Sequence, residues 1–279
     1  MLITLAVALL LGAMAFFQFW RGGAFGIRQA KLGVVNVQGS ITDARRITTW
    51  IKKLGDNPEI QGVLVRIDSP GGVVAPSQEI YAAVRRLAGK KPVVVSMGSV
   101  AASGGYYIAC AADTIVANPG TVTGSIGVKA NVPNVRELMD KIGVKEQSIV
   151  SGKYKDAGSP TKPLSPEEKA YFQELVDNLF GQFVEAVAKG RGMKEKEVRR
   201  LADGRAYTGQ QALELGLVDE LGDRAQAVDI LREMCEITRE VDFVEGPEAR
   251  SLLWSLLLGQ ISWPQIRDAM SGSQALFEY

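Results

Sequence analysis

Val63 to Tyr107 reads VLVRIDSPGGVVAPSQEIYAAVRRLAGKKPVVVSMGSVAASGGYY, and this stretch decides the fold. It opens with branched apolar residues, Val63 to Ile67, which have the composition of a buried strand. Ser69-Pro70-Gly71-Gly72 turns the chain, and a helix is predicted from about Pro76 to Leu87. Pro92 precedes a second apolar run, Val93 to Met97, and a glycine-containing corner then enters a helix of small residues, Ser103 to Ala111. Working outward, Leu32 to Val37 predicts an earlier strand. Ile41 to Leu54 predicts a helix with Ile47, Trp50, Ile51 and Leu54 on one face. On the far side, Thr114 to Ala117 predicts a strand, Gly120 to Gly127 a loop, Val135 to Ile142 a helix and Glu146 to Val150 one more strand. Strands alternating with short helices imply right-handed crossovers and an α/β fold with a mostly parallel sheet.

The longest helix is predicted from Pro166 to about Lys189. Ser165 and Glu168 supply a capping box at its start, and Gly190 with Gly192 ends it. Thr208 and Gln211 repeat the pattern ahead of a short helix that stops at Gly216. The chain divides into an apolar segment at 1–20, a linker at 21–31, one catalytic domain at 32–245 and a peripheral tail at 246–279.

Among 279 residues there are 32 basic and 31 acidic side chains, a net charge of +1, so no general nucleic-acid-binding surface is expected. Histidine is absent. That removes Ser-His-Asp and Cys-His schemes, histidine general bases and histidine metal ligands. The two cysteines, Cys110 and Cys235, are too few for a Cys₄ zinc site or an iron–sulfur cluster within one chain. A nucleophilic mechanism here needs another base, and lysine is the candidate.

Residues 1–20, MLITLAVALLLGAMAFFQFW, carry no charged side chain. As a helix they would reach about 30 Å, enough for one transmembrane span. Phe16, Phe17, Phe19 and Trp20 gather where an interfacial belt would lie. A cleaved signal peptide usually starts with basic residues and ends on an Ala-x-Ala-like site, and neither is evident here. Arg21, Arg28 and Lys31 follow the span, so the positive-inside rule alone would put the domain in the cytoplasm. Leu252 to Leu258, LLWSLLL, is too short to span; it suits a membrane surface, a neighbouring subunit or the core.

Two glycine-containing turns each follow a predicted strand. In Asp68-Ser69-Pro70-Gly71-Gly72, adjacent glycines let backbone N–H groups face an oxyanion or a phosphate, and an ordinary tight turn explains them equally well. No Gly-Lys-Ser/Thr follows, which excludes a nucleotide P-loop. The second turn, Gly98 to Tyr107, places Ser103 at or near a helix N-terminus. Ser103 is either an N-cap or a nucleophile; Ser99 is a rival, without the two glycines that follow Ser103. A serine needs a proton acceptor, and a desolvated lysine, its pKa lowered by about 3–5 units at full burial, can serve. Lys153 and Lys155 in Ser151-Gly152-Lys153-Tyr154-Lys155-Asp156 are both candidates, and both also suit a solvent-facing loop. Asp156 must point away from Lys155 if that amine is to lose its proton.

These segments, with Thr123-Gly124-Ser125-Ile126-Gly127-Val128, occur in one order. In that order the chain resembles the short bacterial and archaeal form of signal peptide peptidase A, a serine–lysine protease family related to Clp protease and the crotonases. The resemblance covers most of residues 32–225. It implies a Clp/crotonase-like fold of repeated β-β-α units, preceded by one transmembrane helix. It also implies Ser103 as nucleophile, Lys155 as general base, Ser125 positioning the lysine amine, and an oxyanion hole at Gly72 with Gly71 and Gly104. No metal or organic cofactor has a task in such a scheme, and no ATPase partner is evident.

The resemblance further implies membrane attachment with an extracytoplasmic catalytic domain, apolar peptide substrates such as remnant signal peptides, and a homo-oligomer whose active sites can be shared between subunits. Small and apolar residues at Val73, Val74, Met97 and Tyr106 are candidates for a substrate pocket, as is Tyr107. The rivals are a crotonase-like acyl-thioester enzyme and a non-catalytic membrane scaffold. The tail after about Val244 lies outside the resemblance; it is expected either to visit the active-site groove as a self-product or to dock on a neighbour.

Overall fold

The computed structural model describes residues 29–247 and 277–279. Three long strands, β1 (Ala30–Gln38), β2 (Ile60–Ser69) and β3 (Val93–Ala102), form the centre of the sheet, and each is buried along nearly its whole length. Their near-continuous apolar sequence follows from packing on both faces. Val35, Val37, Val63, Val65, Val93, Val95 and Met97 point into the larger core, while Val34, Leu64 and Val94 point into a smaller one closed by Ala227 and Leu231. Each such side chain withdrawn from water contributes about 1.5–3 kcal/mol.

Helices α1 (Arg45–Asp56) and α2 (Val74–Ala88) cross between these strands. The pairings β1–β2, β2–β3 and β1–β9 (Val241–Gly246) are parallel. Strand β3 then has two partners on one edge. Its first half pairs with β4 (Thr114–Ala117) and its second half with β5 (Val122–Gly124), so the sheet forks there. The β5 branch goes on antiparallel to β7 (Ala206–Thr208), and the β4 branch parallel to β8 (Glu220–Leu221). Outside this sheet, β6 (Lys129–Ala130) pairs antiparallel with β10 (Phe277–Glu278).

The remaining helices are α3 (Gly104–Ala109), α4 (Arg136–Lys141), α5 (Pro166–Arg191), α6 (Glu195–Leu201), α7 (Gly209–Glu214) and α8 (Arg224–Met234). Helices α5 and α7 carry the capping boxes read from sequence, Ser165 with Glu168 and Thr208 with Gln211. Helix α5 runs through Gly190, whose lack of a side chain lets it press on the Cys110 backbone, and stops at Gly192 in the left-handed conformation.

Two expectations change. Glu146 to Val150 is not a strand; the segment is irregular and Ile149 is 95% exposed. The Gly120 to Gly127 loop contains β5, pinned where the buried Thr123 hydroxyl donates to the Ala101 carbonyl at 2.7 Å. The expected span at 1–20 lies outside the described residues, and among those described no helix is long and apolar enough to cross a membrane. Both cysteines are unpaired, and burial pushes the Cys110 thiol up to about 12, which makes it inert.

Candidate active site

Ser103 sits where β3 passes into α3, just beyond the fork in the sheet. Its backbone takes φ 54° and ψ −117°, a region glycine normally fills because a Cβ is crowded there. Such a conformation costs on the order of 1–3 kcal/mol and persists only when neighbours impose it. Here the Ser103 N–H donates to the Gly124 carbonyl, and its own carbonyl accepts from the Tyr107 N–H, each at 2.8 Å.

Asp68, Ser69, Gly71 and Gly72 of the turn each have a separate part in holding the backbone near that serine. Asp68 accepts the Val100 N–H at 3.1 Å, which ties the turn to the end of β3. The Ser69 hydroxyl donates to the Gly39 carbonyl and accepts the Gly71 N–H. Gly71 has φ 105°, and a Cβ there would come within 2.9 Å of the Ser103 Cβ and 2.7 Å of the Gly104 nitrogen. Only glycine permits that approach. Gly72, at φ 153°, lies against the Ile41 backbone, which pairs with it on both flanks: the Ile41 N–H donates to Gly71 and the Val73 N–H donates to Ile41. No described backbone acceptor takes the Gly72 N–H. Gly104, the first residue of α3, packs on Gly71 and the Ser77 side chain, and its N–H is one of the unpaired donors of a helix start. Ser103 thus has glycine backbone close to it on two sides, at Gly71 and at Gly104.

Ser125 joins the same locality through Gly124. It too has positive φ, 50°, and its hydroxyl reaches the Gly204 carbonyl at 3.3 Å. Lys155 is on an exposed turn, and no hydrogen bond joins it to Ser103 or Ser125 within the chain. The two lysines nevertheless differ. Lys153 is bound to Glu167 at 2.7 Å, and that bond raises its pKa, the wrong direction for a base. Asp156 turns to Lys162 at 3.2 Å, leaving Lys155 without a carboxylate partner among the described residues.

Lys162 also holds Glu168 at 2.8 Å; that bond, with the Ser165 backbone N–H, lowers the Glu168 pKa to about 2 from the usual 4.5. A depressed acid stabilises the fold above its unfolded pKa and loses that contribution as pH falls towards its folded one. Glu168→Gln should therefore be less stable than the wild type at pH 7, with the gap closing as pH falls from about 4.5 to about 2. Urea midpoints at pH 7 and pH 3 measure it, and a gap equal at both would refute the assignment.

The expected pocket residues separate. Met97 and Tyr106 are wholly buried, with the Tyr106 hydroxyl donating to the Leu217 carbonyl, so they belong to the core and do not face a ligand. Val74 is buried at the start of α2, while Val73 is half-buried and bridges Glu278. Tyr107 is buried as well, its ring against Tyr81, Phe183 and Tyr279. Among the described residues, no group of three or more His, Cys, Asp or Glu side chains is arranged to hold a metal.

The comparisons with known proteins show the family. The description of Peptidase family S49 matches residues 85–238, and that of Clp protease matches residues 30–121. The chain belongs to peptidase family S49. It is 44% identical over 222 residues to a Synechocystis protein named "Putative protease slr0021", covering 78% of this chain and 80% of that one. It is 37% identical to an Enterococcus faecium protein named "Putative signal peptide peptidase SppA", over 76% of this chain and 66% of the other. With Protease 4 of Haemophilus influenzae it shares 35% identity over 71% of this chain, which spans 34% of that longer protein. The chain is accordingly a serine protease of α/β fold.

Proposed function

We propose that the protein is a membrane-attached endopeptidase that cleaves remnant signal peptides and similar apolar, unfolded chains through a Ser103–Lys155 dyad. The observation that carries this is the strained Ser103 at the entry to α3, with the backbone of Gly71 pressed against it and Gly104 following it. The lysine amine takes the Ser103 proton as Oγ attacks the scissile carbonyl. The oxyanion rests on Gly72 and Gly104, and the ammonium then gives its proton to the leaving amine. The neutral amine next takes a proton from water, whose attack releases the acyl group and regenerates the Ser103 hydroxyl. Ser125 positions the amine. Apolar residues 1–20 support attachment to a membrane, and the domain is proposed to face the extracytoplasmic side.

The lysine is proposed to come from a neighbouring copy in a homo-oligomer. In support, the residues leading to Lys155 expose Leu138, Ile142, Val144, Ile149 and Val150, a concentration of apolar surface that a second copy would cover.

The test is hydrolysis of a fluorogenic apolar peptide by the full chain in lipid or detergent. Turnover should rise towards alkaline pH, as an amine base requires. Lys155→Ala should remove it and Lys153→Ala should not. Co-assembly of Ser103→Ala with Lys155→Ala chains should restore a measurable fraction, because mixed contacts then hold one intact pair. Activity surviving in Lys155→Ala would overturn the base, and failure of the mixture would assign both residues to one chain.

A further inference from the structure

Lys155 stands next to an acid, and such a neighbour works against a base. Elsewhere on the exposed surface a cation two positions from an aspartate closes on it: Arg45 on Asp43 and Arg205 on Asp203, each at 2.6 Å. Asp156 is nearer still to Lys155 in sequence and shares its turn, in which the Lys155 N–H donates to Gly152, the Ala157 N–H to Tyr154 and the Ser159 N–H to Asp156. Consecutive Cα atoms are about 3.8 Å apart, so a flexible four-carbon stem can bring its amine to the adjoining carboxylate. An opposite charge at that range favours the ammonium, the form that cannot accept a proton.

The carboxylate is turned elsewhere. Asp156 Oδ2 lies 3.2 Å from Lys162 Nζ, and the same Nζ lies 2.8 Å from Glu168 Oε1. Glu168 is buried, and its other oxygen accepts the Ser165 N–H at 2.9 Å, which fastens it to the first turn of α5. The chain Asp156–Lys162–Glu168 therefore ties the turn to a helix end. The bond between Lys162 and Glu168 lowers the pKa of the acid to about 2 and raises that of the amine, so the tie keeps both charges through neutral and mildly alkaline pH. The other charged groups here are also engaged. Lys153 is bound to Glu167, in the same first turn of α5, and lies 5.4 Å from the centre of the Tyr154 ring, which stacks on Tyr171. Of the three lysines between 151 and 162, Lys155 is the one with no carboxylate partner among the described residues.

We propose that Lys162 is a positioning residue for the hydrolysis: it holds the Asp156 carboxylate towards Glu168 and so keeps it off the Lys155 amine, which stays free to take the serine proton. The proposal rests on the reading of Lys155 as the general base. Without Lys162, Asp156 is released beside the nearest cation, which is Lys155. An exposed ion pair and a desolvated one bracket the result, so the rising limb of the pH profile should move by about 0.5–1 unit. On that limb the rate follows the neutral fraction of the amine, so kcat/KM at pH 7 should fall by about 3–10-fold and converge with the wild type at alkaline pH. A merely structural role would lower the rate by one factor at every pH.

The experiment is the pH profile of kcat/KM for the fluorogenic apolar peptide, measured on the full chain in lipid or detergent. Lys162→Met should carry the limb to higher pH by about 0.5–1 unit and leave the plateau unchanged. Lys162→Gln, which keeps a hydrogen bond to Glu168 without the charge, should give the same displacement and guards against a defect of folding. Lys162→Arg retains the cation and should keep the wild-type limb. Adding Asp156→Asn to Lys162→Met should bring the limb back, because the released carboxylate is gone. A loss equal at every pH, or a displaced limb that Asp156→Asn does not restore, overturns the proposal and leaves the dyad standing. If Lys155→Ala still turns over, or the wild type does not, the dyad reading fails and the amine is read directly. Competitive acetylation with mass spectrometry gives the pH at which Lys155 reacts half-maximally. That pH should rise by about 0.5–1 unit in Lys162→Met and return in the double variant. Equal values in all three chains would overturn the proposal independently of catalysis.

Discussion

Ser103→Ala is expected to reduce peptide hydrolysis by about 10⁶-fold, the scale of losing a nucleophile that acts as a unit with its base. The hydroxyls of Ser69 and Ser77, which lie near Gly71 and Gly104, are engaged at the Gly39 and Val73 carbonyls. Ser99 lies further back on β3, and Ser125 is engaged at Gly204. The same position also tests the strain. Alanine keeps a Cβ at φ 54° and ψ −117°, so Ser103→Ala should leave the strain in place, whereas Ser103→Gly should relieve it. Allowing for the greater freedom of glycine in the unfolded chain, the glycine variant should be about 1 kcal/mol more stable than the alanine variant. Paired denaturant titrations and turnover assays of the two variants decide both points. Residual activity within 10²-fold of wild type would remove Ser103 from the mechanism, and a less stable glycine variant would show that the backbone is at ease there.

The second large effect belongs to Gly72→Ala. An added methyl would strike the Ile41 carbonyl oxygen and lie 2.7 Å from the Ile41 nitrogen, and φ 153° is strained for any residue with a Cβ. Both neighbours are backbone atoms of a paired segment, so no flexible side chain can give way. Overpacking and backbone strain together should cost about 2–5 kcal/mol. The Ile41 bond to the Gly71 carbonyl, the Val73 bond to the Ile41 carbonyl and the Gly72 N–H between them would shift together, so on the proposed oxyanion role kcat should fall by about 10²–10³-fold in whatever fraction stays folded. Gly120→Ala is the control, because nothing lies within 4 Å of its Cβ position; it should be close to wild type in both respects. A Gly72→Ala chain with wild-type stability and turnover within a few-fold would refute the oxyanion assignment.

The central sheet was legible because β1, β2 and β3 are covered on both faces, which writes uninterrupted branched residues between Gly-Pro punctuation. The capping boxes of α5 and α7 were legible because they are local chemistry between residues three apart. What was not legible depends on partners distant in sequence. Strand β5 is three residues long and exists because Thr123 bonds back to Ala101. Glu146–Val150 has the branched composition of a strand, yet no edge of the sheet meets it within the chain. Around the site, Ser103 and the glycines were marked by small residues after strands. The pocket was misread at Tyr106 because α3 is buried on every side, which a six-residue run of small and aromatic residues does not announce.

The two-edged pairing of Phe277–Tyr279 sets a condition that precedes any side-chain preference. A chain that took the place of Phe277–Tyr279 would have to offer backbone donors and acceptors on both flanks, which a helix or the central strand of a folded protein has already committed elsewhere. Proline in the place of Tyr279 would forfeit the bond to Gly72, having no N–H to give. Such a place would act as a gauge of foldedness. It would discriminate by whether a chain's peptide groups are unspent, and a protease built this way could work among intact proteins with little risk to them.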